Sequence, residues 1–183
     1  MLSGPDYQAA TVGRIRPYRP ADEDVVVDLW ARASRIAHPF VPGEGGGERE
    51  RKMREIYLVQ ADNWVAEDAD GRVVALLGML GSEIGGLFVH PDAQGAGIGR
   101  VLVEFAAARH DSITLDVYEN NHEARGFYTA MGFAEEGRHP DEDSGHMLIT
   151  LRRPGRSAAA AGAPHISGDV DRPADRPTNS SIG

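Results

Sequence analysis

One stretch constrains this chain more than any other: Leu87-Phe88-Val89-His90-Pro91-Asp92-Ala93-Gln94-Gly95-Ala96-Gly97-Ile98-Gly99-Arg100. An apolar strand pattern runs into a glycine-rich turn, and the turn opens an amphipathic helix. Ile98, Val101, Leu102 and Phe105 fall at helical spacing and make an apolar stripe. The first turn of a helix carries unpaired N–H groups and the positive end of the helix dipole. Gly95, Gly97 and Gly99 have no side chains, so a phosphate can approach their backbone closely. The segment reads as a pyrophosphate cradle at a strand–helix junction.

Two common glycine-rich nucleotide motifs do not fit it. A P-loop needs Lys-Ser or Lys-Thr after its last glycine, and here Ile98-Gly99-Arg100 follows Gly97. A dinucleotide fingerprint needs G-x-G-x-x-G, and Gly95-Ala96-Gly97-Ile98-Gly99 is a residue too short. The spacing Gln94-x-x-Gly97-x-Gly99 instead resembles the acyl-CoA loop of the GNAT superfamily of N-acetyltransferases. A second stretch, Leu115-Asp116-Val117 through Gly132-Phe133, resembles that superfamily's other signature. Asn121, Ala124, Tyr128, Gly132 and Phe133 fall on its positions. The resemblance covers roughly residues 13–152 and is similar to small bacterial single-domain members.

Composition narrows the field further. With 183 residues the chain can bury one substantial core. No run approaches the ~18 apolar residues of a membrane helix, and residues 1–20 lack an apolar signal-peptide core, so a cytoplasmic protein is expected. There are no cysteines, which excludes disulfides and a cysteine nucleophile. The formal net charge of −9 argues against broad nucleic-acid binding. The seven histidines are scattered, with no H-x₃-H pair, and predict no metal site.

Along the chain, residues 1–12 read as a flexible leader, 13–152 as the single domain and 153–183 as a low-complexity tail without periodic apolar pattern. Strands are expected over residues 13–16, 63–67, 72–80, 82–89, 112–117, 133–138 and 145–151. Helices are expected over about 22–37, around Met53 to Gln60, over 97–109 and over 121–131. Asp68-Ala69-Asp70-Gly71 signals a hairpin turn. Gly85-Gly86 inside a strand pattern suggests a bulge, with a simple turn as the plainer alternative. The acidic pairs and runs at Glu67-Asp68 and Asp141 to Asp143 read as solvated turns. The order β-α-α-β-β-β-α-β-α-β-β is the one the resemblance implies: an α/β (α+β) fold with a mixed sheet of about seven strands flanked by four helices.

The resemblance also implies a chemistry. An acetyl group would pass from acetyl-CoA to an amine by direct attack in a ternary complex. An alkyl ammonium with a pKa of ~10.4 must first lose a proton, and a thiolate whose conjugate acid has a pKa of ~8.5 must leave. Gln94 through Arg100 (Gln94, Gly95, Ala96, Gly97, Ile98, Gly99, Arg100) would hold the pyrophosphate, although Arg100 also reads as an exposed helix residue. Leu87, Phe88 and Val89 would pair with the pantetheine arm as an added strand does, and the N–H of Val89 or of a close neighbour would polarise the thioester carbonyl.

Tyr128 matches the family's proton donor to the departing thiolate, and otherwise reads as a packed aromatic. Asn121 matches a pantetheine ligand, and Asn also favours the helix N-cap. Glu83, eleven residues before Gln94, matches the glutamate base of histone-type members, or is a strand-end acid; water is a third route for the proton. Trp30, His38 and Phe40 would wall the acceptor pocket, with His38 equally at home at a helix C-terminus. The partner is an amine-bearing acceptor, small molecule or protein, and the chain could act as monomer or homodimer. A CoA-binding regulatory module without turnover is the alternative from another class, and Tyr128 argues against it.

Overall fold

The computed structural model describes residues 12–156. The expected leader (1–12, apart from residue 12) and most of the expected tail (153–183) lie outside these residues. Seven strands form one sheet: β1 (Arg14–Pro17), β2 (Asp62–Glu67), β3 (Val73–Leu80), β4 (Glu83–Val89), β5 (Ser112–Tyr118), β6 (Ala134–Pro140) and β7 (Met147–Pro154). Their spatial order is β1-β2-β3-β4-β5-β7-β6. All neighbours are antiparallel except β4 and β5, which run parallel because a helix carries the chain across between them. The last strand runs three residues past its expected end at Leu151. It closes the domain beyond residue 152, with Gly155 N donating to the Asp111 carbonyl.

Helix α1 (Glu23–Ala37) starts with acid in its first turn and ends at His38, before Pro39. Its stripe of Val26, Val27, Leu29, Trp30 and Ala33 is buried. Just upstream, Arg16 is sandwiched between Asp22 and Glu67, at 2.8 and 2.6 Å. Glu67 is therefore paired rather than a free turn acid. Helix α2 is composite: Gly47–Lys52, a π-helical turn Met53–Tyr57, and a closing turn Leu58–Gln60. Asn63 terminates it by donating its side-chain amide to the carbonyls of Tyr57, Leu58 and Ala61. Helices α3 (Ile98–Ala107) and α4 (His122–Ala130) follow β4 and β5.

Strand alternation divides the interior in two. Leu77, Leu87, Val89, Ile113, Leu115 and Ile149 face α3 and α4 and pack with Leu102, Val103 and Tyr128. Val65, Leu76 and Phe88 point to the other face and pack under α1 with Trp30 and Met53. Both faces of the middle strands are thus buried, which is why β3 reads as a nearly continuous apolar run. Among the described residues no helix is long and apolar enough to cross a membrane.

Candidate active site

The site begins where the sheet fails to close. Strand β4 pairs with β5 at only two positions, Glu83↔Thr114 and Ile84↔Leu115. On its other side it stays paired with β3 along its length, through a bulge that leaves Gly85 unopposed between Ile84↔Met79 and Gly86↔Gly78. The bulge suggested by Gly85-Gly86 is present. Beyond it β4 and β5 diverge and leave a gap. His90 N donates to the Val74 carbonyl across β3. Alternation then turns the N–H and carbonyl of Val89, and those of Leu87, toward the gap.

The turn after β4 is built by local bonds. The His90 ring accepts from Asp92 N, a short 3₁₀ turn (Pro91–Ala93) follows, and the Gln94 side chain donates back to the Val89 carbonyl at 3.2 Å. Gly97 caps α3 in the left-handed region, φ +82°, where a side chain is strained. A Cβ at Gly95 or Gly97 would meet nothing within 4 Å, so their backbone is open to a ligand. The first N–H groups of α3 point into the same space.

A cleft of about 370 Å³ lies here. Leu87, Val89, Gln94, Gly95, Gly97, Ile98, Gly99, Arg100 and Asn121 line it. Phe88 does not: its side chain lies in the core under α1. Ala96 is also off the wall, packed partly against the α3 core. Ile36 and Ala37 from the end of α1, Ala93 from the 3₁₀ turn, and Glu123, Ala124 and Phe127 from α4 complete the wall. The sequence reading missed these six. The signal for Phe127 was its place one turn after Ala124 in the second motif. Nothing local marked Ile36.

Asn121 is buried and caps α4, its carbonyl oxygen accepting from Ala124 N at 3.1 Å. It is both an N-cap and part of the cleft wall. Tyr128 is buried with Phe127 and Phe133 edge-on at 5.2 Å, one helical turn behind Ala124. Burial drives its phenol well above the ordinary value, so it carries its proton at neutral pH. Glu83 is half-buried at the closed end of the gap. Val89 lies six positions further along β4, about 20 Å of extended strand away. Its cross-strand partner Leu80 lines a small apolar hollow under the π-turn of α2, with Met53, Phe88, Gly78 and Gly86.

The expected acceptor wall is placed differently. Trp30 is 1% exposed, packs in the core between α1 and the sheet, and is not part of the cleft wall. The helical stripe that pointed to a long helix was right, but its largest member faces the sheet. His38 is completely buried. Its Nε2 lies 3.3 Å from the Asn121 amide nitrogen and its Nδ1 3.6 Å from Glu44. Only Phe40 is partly accessible, packed edge-on against Tyr118 and His146 at 5.5 and 5.0 Å. Asp141, expected in a solvated turn, is 2% exposed. It accepts from the Tyr118 hydroxyl at 2.8 Å and from Ser144 N at 3.2 Å, and so builds the turn from within.

Comparison with known proteins agrees with this architecture. A domain family described as "Acetyltransferase (GNAT) domain" matches residues 60–135. The peptidyl-lysine N-acetyltransferase YjaB of Escherichia coli is 35% identical over 139 residues, spanning 75% of this chain and 94% of its own. The peptidyl-lysine N-acetyltransferase YiaC of the same organism is 32% identical over 120 residues, 65% of this chain and 82% of its own. The solution structure of apo YjaB superposes with a TM-score of 0.65 at 30% identity, covering 76% of this chain and 95% of that one.

Proposed function

The chain belongs to the GNAT family of N-acetyltransferases, and from that premise we propose that it transfers the acetyl group of acetyl-CoA to a primary amine, with a protein lysine side chain as the first acceptor to test. The single observation that carries the cofactor side is the gap between β4 and β5, opening beside a glycine turn whose backbone is unobstructed. Acetyl-CoA, when bound, supplies an activated thioester. The chain's own residues do the rest.

The N–H groups at the start of α3, with Gly95 and Gly97 leaving them accessible, bind the pyrophosphate. Arg100, exposed on the rim, adds charge. Leu87 and Val89 offer backbone groups along the gap as a strand edge does. The Val89 N–H, fixed by the β3 pairing on its other side, polarises the acyl carbonyl without having to reorient. Asn121 is held by Ala124 N and presents its side chain to the cleft wall. Tyr128, kept protonated by burial, donates to the leaving thiolate. Water takes the ammonium proton from the acceptor, which approaches from the α2 face, because Glu83 lies about 20 Å of strand from the Val89 N–H and does not reach the attacking amine itself. Phe40 forms part of the acceptor wall. The lysine assignment is supported by the described activity of YjaB and YiaC. The formal charge of −9 favours cationic acceptors by steering.

The test is CoA release from acetyl-CoA across blocked lysine peptides, free amino acids, polyamines and aminoglycosides, with Tyr128→Phe in parallel. Release with lysine peptides that falls about 10²-fold in kcat in Tyr128→Phe, at unchanged acetyl-CoA affinity, supports the reading. Acetyl-CoA binding with no release from any amine would favour a CoA-binding regulatory module. No binding in calorimetry would sink both.

A further inference from the structure

Two parts of this molecule lie on different faces of the sheet and share no motif. One is the wall of the cofactor cleft at the start of α4. The other is the pair of segments bounding the α2 face, namely the α1–α2 loop and the β6–β7 turn. They are joined by a buried polar chain. Asn121 has its carbonyl oxygen committed to Ala124 N, so its amide nitrogen faces His38, 3.3 Å away. The amide can only donate, so His38 Nε2 accepts and the ring proton sits on Nδ1, toward Glu44 at 3.6 Å.

Glu44 is buried in the loop, and Arg49 on α2 reaches it at 3.4 Å. Burial alone would raise the Glu44 carboxyl, but His38 and Arg49 outweigh it and hold it below its ordinary value. Arg49 also donates to the Tyr118 hydroxyl at 3.3 Å, and Tyr118 donates to Asp141 at 2.8 Å. Asp141 accepts in turn from Ser144, which fixes the β6–β7 turn. A separate contact, Lys52 with Asp143 at 2.9 Å, ties α2 to the same turn at the surface.

We propose that His38, Glu44, Arg49 and Tyr118 are positioning residues that set the acceptor-side segments according to the state of the cofactor cleft. Resting on the acetyltransferase reading above, this gives His38 a role its burial allows: it touches neither substrate, and it passes the position of Asn121 to Glu44. A change at the Asn121 end moves a buried polar chain in which Glu44 is held by ion-pair contacts at 3.6 and 3.4 Å and makes no closer hydrogen bond among the described residues. Each link that fails leaves a buried polar group unpaired. By reciprocity, whatever cofactor binding does for the acceptor, the acceptor does for the cofactor.

The experiment uses the full chain with CoA as the probe, and hydrogen exchange as a readout that needs no turnover. In the wild-type protein CoA should slow exchange at residues 95–101 and 121–125, and also at 41–49 and 142–146. Tyr118→Phe removes one hydroxyl and keeps the ring packed on His38 and Phe40. It should abolish the CoA-induced protection at 142–146 alone. Glu44→Gln should abolish it at both distant segments. With a blocked lysine peptide, both variants should raise the acceptor KM about tenfold while kcat and acetyl-CoA affinity stay within about twofold.

Protection confined to the glycine turn and the start of α4 in wild type would overturn the proposal. So would an unchanged acceptor KM in Tyr118→Phe, or a joint fall of kcat, cofactor affinity and Tm in both variants, which is what a merely structural role predicts. Failure of CoA to bind the wild-type protein at all would remove the acetyltransferase reading itself, a result the same titration separates from the others.

Discussion

The cleft beside the glycine turn and the polar interior under α2 are made of different materials. The cleft is made mostly of backbone: a strand edge turned toward a gap, a left-handed glycine, the open N–H groups of α3. The interior under α2 is made of side chains that meet across the fold, His38, Glu44, Arg49, Tyr118 and Asp141, with Phe40 and His146 packed over them. Backbone sites survive most substitutions and fail at a few positions where only glycine or one turn geometry is allowed. Side-chain sites can be retuned residue by residue, so one scaffold can keep its cofactor while its acceptor changes.

That contrast can be broken in several places. The largest effect should come from neither side but from the core beneath both. Trp30→Ala, at a residue 1% exposed, should cost about 3–5 kcal/mol and lower Tm steeply. If it instead left Tm intact and altered acceptor preference, Trp30 would be a pocket residue after all. Next in size, Gly97→Ala forces a side chain into φ +82°. It should cost about 1–2 kcal/mol and weaken acetyl-CoA about tenfold in calorimetry, leaving acceptor preference as it was.

Phe40→Ala should do the opposite, raising acceptor KM by about three- to tenfold at constant acetyl-CoA affinity. A shift in both constants would mean that the two sides are not separable at Phe40. Smaller still is the acid response. Glu44 is held below its ordinary value when folded, so its contribution is complete above about pH 4.3 and is lost as pH falls through its folded value. Glu44→Gln should therefore flatten the fall of Tm below about pH 4.3 relative to wild type. At the bottom of the scale, Arg51→Ala removes ion pairs to Glu48 and Glu55 whose side chains are all more than half exposed. No change in Tm or rate should be resolvable.

The same contrast explains what could be read from the chain. Gln94, Gly95, Gly97 and Ile98 act on one another within a few residues, so their spacing carries the turn, and seven strands and four helices follow from periodicity. Strand ends shifted by one to three residues, because pairing and not propensity sets where a strand stops, and α2 starts at Gly47, six residues before the expected Met53. The interior under α2 has no such local record. Tyr118 meets Asp141 across 23 residues, Lys52 meets Asp143 across 91, and His146 meets the Phe40 carbonyl across 106. A helical stripe announces that Trp30 is on an apolar face without saying whether that face meets a sheet or a cavity. An acidic triplet reads as surface unless its partner, here a tyrosine hydroxyl, is known.

One feature of the sheet reaches beyond the chemistry. Only two residue pairs stitch β1 through β4 to β5, β7 and β6. The domain is in effect a book whose spine is two stitches long, kept shut by its covers, the helices. A ligand lying along the open part of the spine acts as the missing binding thread, and its binding energy is added to the folding energy of the whole as RT ln(1 + [L]/Kd). Were that ligand the proposed acyl donor, the stability of the fold would rise and fall with its supply.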